Sequence, residues 1–104
     1  MPEYQLVLQI PEDAVRDFDA MVAIEDELSS ALSPEHDVDG HDIGSGTINY
    51  FVITKAPGKA FSLAKTIFVE RGLLSNLRAA SRRRDAGKYE LVWPENDETP
   101  FKLM

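Results

Sequence analysis

Asp39 to Thr54 reads D-G-H-D-I-G-S-G-T-I-N-Y-F-V-I-T, and this stretch decides how the chain folds. Ile48, Tyr50 and Val52 alternate with Asn49, Phe51 and Ile53. Neither side of that strand is left for water, and a strand apolar on both faces belongs inside a sheet. Gly44-Ser45-Gly46 just ahead of it is a turn, so the strand from Thr47 to Thr54 is entered through a tight reversal.

Upstream, Glu35 to Ile43 is polar, with Val38 and Ile43 its only large apolar residues, and reads as a loop or a short edge strand. Tyr4, Leu6, Leu8 and Ile10 alternate with Gln5, Val7 and Gln9, which predicts a first strand with one face to the core. Pro11 with Glu12 and Asp13 has the character of a helix start. Val15, Phe18, Met21 or Val22, Leu28 and Leu32 recur at helical spacing from there to Ser33-Pro34. Downstream, Pro57 opens a second helix with the stripe Ala60, Phe61, Ala64, Ile67 and Phe68, and Gly72 suits its end. Asn76 to Arg84 and Lys88 to Trp93 read as two strands joined through Asp85-Ala86-Gly87.

The order strand-helix-strand-strand-helix-strand plus a last strand predicts an α+β fold of the ferredoxin-like split βαβ type. Both helices would lie on one face of an antiparallel sheet. Residues 1–94 form the expected single domain, and residues 95–104 a tail in which Phe101, Leu103 and Met104 are candidates for docking. The segment Asp39-Gly40, Asp42, Gly44-Ser45-Gly46, Asn49, followed by Thr54-x-x-Pro57 and Trp93-Pro94, resembles a group of small bacterial ferredoxin-like proteins of unassigned activity. The resemblance spans most of the chain and implies the same fold. It brings no catalytic residues with it.

The 104 residues carry a net charge of -7 that is unevenly spread. Residues 1–46 balance to -11, residues 47–94 to +6 and the remainder to -2. An acidic protein repels nucleic acid and anionic membrane, so neither is an expected partner, whereas a basic protein is. The positive balance includes Lys55, Lys59, Lys65 and Arg71 around the second helix, where they are expected to compensate the acidic first helix. No cysteine is present, which excludes a disulfide framework and a thiolate metal site. The opening M-P-E-Y-Q lacks a basic, apolar leader, and no apolar run reaches membrane-spanning length, so a cytoplasmic protein is expected.

Glu35 to Asp42 gathers His36, His41 and four carboxylates, ligands that suit Zn, Mn or Mg. As a calcium loop it fails, because Gly46 stands where the twelfth-position glutamate belongs. The two histidines are five apart, which in a regular strand puts them on opposite faces. A solvated loop of turn-forming aspartates is the better account, so no metal and no cofactor are expected. Ser45 and Gly58-Lys59 likewise miss the nucleophile-elbow and phosphate-loop patterns.

Asp39, His41, Asp42, Ser45 and Asn49 remain a candidate binding loop, and Arg78, Arg82 and Arg84 a candidate anion site. Val7, Tyr50, Phe51 and Ile53 are candidates for an interface on the sheet face away from the helices, where self-association as a homodimer or cover by the tail is expected. Three functions follow in order. The first is a non-enzymatic interaction or ligand-binding module. The second is an acidic immunity-type inhibitor of a basic toxin, and the third a small enzyme using His41 with Asp39 or Asp42.

Overall fold

The computed structural model describes residues 2–15, 17–95 and 101. Strand β1 (Tyr4–Pro11) is followed by a 3-10 turn at Glu12–Ala14 and helix α1 (Phe18–Leu32). Strands β2 (Asp37–Gly44) and β3 (Thr47–Thr54) form a hairpin, and helix α2 (Pro57–Glu70) leads through a second 3-10 turn, Leu74–Asn76, to β4 (Arg78–Arg83) and β5 (Glu90–Trp93). All pairings are antiparallel, in the order β2-β3-β1-β4-β5. This α+β arrangement is compatible with a ferredoxin-like one, although the five-strand order is not the four-stranded order of that fold.

The strand apolar on both faces is interior, with β2 on one side and β1 on the other. Leu6, Leu8 and Ile10 of β1 join Ile48, Tyr50 and Val52 of β3 in one core with Met21, Ile24 and Leu28 of α1 and Ala60, Ala64 and Phe68 of α2. Since both helices pack on the same strand residues, they share one face of the sheet.

Helix α1 does not start at Pro11. Pro11 ends β1, and the helix begins seven residues later because Asp17, in extended conformation, accepts a hydrogen bond from the Ala20 N–H at 2.8 Å. The later start leaves Phe18 exposed, although the apolar period assigns it to the core. Helix α2 opens with Pro57 and closes on Gly72 at φ +71°, where the Leu73 N–H bonds to Phe68 O and the Gly72 N–H to Val69 O.

Candidate functional site

The β2–β3 hairpin turns on Ser45 and Gly46, with φ +53° and +83°, the pair of left-handed residues that a two-residue hairpin loop needs. Further up β2 the register slips between Val38 and Gly40, and Gly40 sits at φ +114°. Asp39 is therefore the extra residue of a bulge, which shifts the alternation of side chains by one. As a result His36 and His41 face the helices together, contrary to the five-residue spacing rule for a regular strand. They still serve different partners. His36, buried, shares a 2.6 Å hydrogen bond between Nδ1 and Thr54 Oγ1, and that same oxygen accepts the Ala56 N–H at the start of α2.

His41 donates its Nδ1–H to the Glu25 carboxylate of α1 at 2.7 Å and lies against Tyr50 at 6.4 Å between ring centroids. Its carboxylate is thus Glu25, sixteen residues away in sequence, rather than Asp39 or Asp42. Tyr50 is fully buried and donates its hydroxyl to the Met21 carbonyl at 2.9 Å. Burial, reinforced by the Glu25 charge, pushes its pKa well above the ordinary phenol value. Tyr50 accordingly leaves the set of candidate interface residues on the open face, because the register turns it under the helices.

Of the remaining candidates, Asp42, Asn49, Arg78, Arg82, Val7, Phe51 and Ile53 lie on the open sheet face in rows across the strands. Asp42, Asn49, Gln9 and Arg78 make one row, Gly40, Phe51, Val7, Ala80 and Leu91 the next, and Asp37, Ile53, Gln5 and Arg82 a third. In the first row Gln9 Nε2 donates to Asn49 Oδ1 at 2.9 Å, and Asn49 Nδ2 donates to Thr47 Oγ1 at 3.3 Å. Asn49, buried, thus bonds to side chains on both sides of it along this face.

The candidate anion residues each have a separate engagement. Arg82 donates to the carbonyls of Arg83, Arg84 and Ala86, and Arg84 to Glu3. Arg78 stands over the Phe101 ring at 5.7 Å. Phe101 also meets Tyr89 at 5.5 Å, and Tyr89 donates its hydroxyl to Gln5. The open face therefore carries an aromatic cover beside Val7, which is fully buried, while Phe51 and Ile53 are half-buried. Leu103 and Met104 lie outside the described residues.

The surface that stands out is one the apolar period conceals. Phe18 is 65% exposed and Ile43 42%, and both line a groove of 220 Å³ with Val15, Met21 and Ile48 on its walls. Glu12 and Asp17 also line it, and Asp13 and Asp19 are exposed nearby in sequence. None of these four carboxylates has an ion-pair partner among the described residues. Among the described residues the expected compensation between the helices comes down to the Glu27–Arg71 pair, which holds the Glu27 carboxyl below its usual range and raises Arg71.

No group of three or more His, Asp or Glu side chains among the described residues is placed to hold a metal, and no described helix is long and apolar enough to cross a membrane. No family model, curated protein or solved structure matches the chain.

Proposed function

We propose that this chain is a non-enzymatic interaction module, a ferredoxin-like split βαβ domain with an added strand, that docks a basic protein partner on the Phe18–Ile43 groove. The observation that carries this reading is the coincidence of the two exposed apolar side chains with Glu12 and Asp17, acids that have no ion-pair partner among the described residues. Exposed large apolar groups are ordinary when scattered; two of them sharing one groove are a contact surface. The apolar centre supplies affinity, and the acidic rim selects a basic partner and speeds encounter. An immunity-type inhibitor of a basic toxin is one form of this function. Dimerisation through the open sheet face has less support, because Tyr89 and Phe101 already lie across part of it.

The test is a titration of ¹⁵N-labelled protein with two short synthetic peptides of equal charge, one of alternating lysine and leucine and the other of lysine and serine. Shifts should centre on Asp17, Phe18 and Ile43, with the leucine peptide binding more tightly. Phe18→Asp should weaken it roughly tenfold, the equivalent of about 1.4 kcal/mol. Shifts spread over the opposite face, or equal affinity for the variant, would discard the reading.

A further inference from the structure

The outer face of α2 carries Lys59, Ser62, Leu63, Thr66, Val69 and Glu70, all exposed. At 3.6 residues per turn they span an arc of about 120°. Leu63 is 45% exposed and Val69 51%. Between them the Ser62 hydroxyl donates to the Gly58 carbonyl at 3.1 Å and the Thr66 hydroxyl to the Ser62 carbonyl at 3.5 Å. Both hydroxyls are thus turned to their own helix, and the middle of this face asks little of water.

Its only two charges stand in the wrong places for an isolated helix. The helix dipole favours acids in the first turn and bases in the last, yet α2 has Lys59 near its start and Glu70 at its end. Neither residue has an ion-pair partner among the described residues. Two other cations of this helix and its end have their own engagements: Lys65 stands 4.1 Å above the Trp93 ring, and Arg71 pairs with Glu27.

We propose that α2 packs antiparallel against α2 of a second copy of this chain, about a two-fold axis between Ala64 and Lys65. That register sets Lys59 opposite the second copy's Glu70 and Leu63 opposite its Thr66. Two-fold symmetry then makes each of these contacts twice. The misplaced charges become complementary, because the start of one helix meets the end of the other. Ser62 and Thr66 are small enough to let the axes approach to about 8–10 Å. One helix pair covers less than the roughly 800 Å² per partner of a standard interface, so the dimer is weak and forms in the upper micromolar range. The Phe18 groove belongs to other elements, and this inference stands apart from the function proposed above.

Sedimentation equilibrium of the full chain up to millimolar concentration decides it, using Lys59→Glu, Glu70→Lys, the double swap and Leu63→Asp. The native chain should move from monomer toward dimer as concentration rises. Each single swap should weaken association roughly tenfold by setting like charges opposite each other, and the double swap should restore it. Leu63→Asp should abolish it, with circular dichroism verifying that the variant is folded. The single swaps also improve α2's own dipole, so they should raise the melting temperature while lowering association, a pairing that a purely structural role does not produce. A monomer at every concentration, a dimer indifferent to the single swaps, or a double swap that fails to recover would each overturn the proposal.

Discussion

Replacing Tyr50 with Phe should lower stability near neutral pH and raise it in alkali. The ring is fully buried and its hydroxyl donates to the Met21 carbonyl at 2.9 Å, so Phe keeps the packing and loses one hydrogen bond. That loss amounts to about 1 kcal/mol. Burial first, and the Glu25 charge second, raise the pKa of Tyr50 in the fold, whereas in the unfolded chain it ionises near pH 10. The stability that the native tyrosine contributes is therefore complete below about pH 10 and falls as the pH climbs toward the folded value. The slope is about 1.4 kcal/mol per pH unit for one proton. Tyr50→Phe escapes this decline, while titrations elsewhere in the chain are common to both proteins and cancel in the comparison. The two stability curves should cross between roughly pH 10 and 11, where the accumulated alkaline loss equals the hydrogen bond. Urea denaturation at half-unit steps from about pH 8 to 11.5 measures both curves. Curves that run parallel through this range would refute the assignment of Tyr50 as a buried, neutral strut between β3 and α1.

Gly40→Ala should cost about 1–3 kcal/mol in thermal melts, because φ +114° strains an L residue although a Cβ there would meet nothing within 4 Å. D-alanine introduced by semisynthesis should be tolerated. Thr54→Val removes the oxygen shared by His36 Nδ1 and the Ala56 N–H, and should lower urea stability by about 1–3 kcal/mol, with Thr54→Ser recovering most of it. Phe101→Ala withdraws the ring from Tyr89 and Arg78, and should raise binding of an apolar dye and destabilise by about 1–2 kcal/mol. If dye binding and stability are unchanged, Phe101 is no cover.

Elements defined by strong periodicity were legible in the sequence. A strand apolar on both faces has no stable place except between neighbours, and Thr47–Thr54 lies there. The start of α1 was not legible, since Pro11 with two acids and Asp17 before Phe18 are both valid helix openings in composition. The three-dimensional choice fell on Asp17 because its carboxylate reaches the Ala20 N–H, while Pro11 completes its pairing with Thr47 of β3. Strand β2 was legible only as a polar edge. Its bulge needs the register of its partner to be seen, and a single extra residue reversed the conclusion drawn for His36 and His41.

The candidate site shows the same division between local and distant information. Glu25 and His41 are sixteen residues apart in different elements, and no local spacing announces their contact. The Phe18–Ile43 groove had a signal that the helical period masked: Asp17 is a strong N-cap, so Phe18 is the first residue of α1, on a turn with nothing above it to complete the burial. Ile43 stands one residue before the hairpin corner on the outer strand of the sheet, where neighbours run out on two sides. An apolar residue at the first turn of a helix and another at the corner of an edge strand are both less covered than their period implies. When the chain brings two such ends together, the exposed pair follows from where the elements stop, and Asp17, which caps α1, lines the groove because helix starts favour acids. The groove and its charge thus arise from one cause, the point at which the first helix begins.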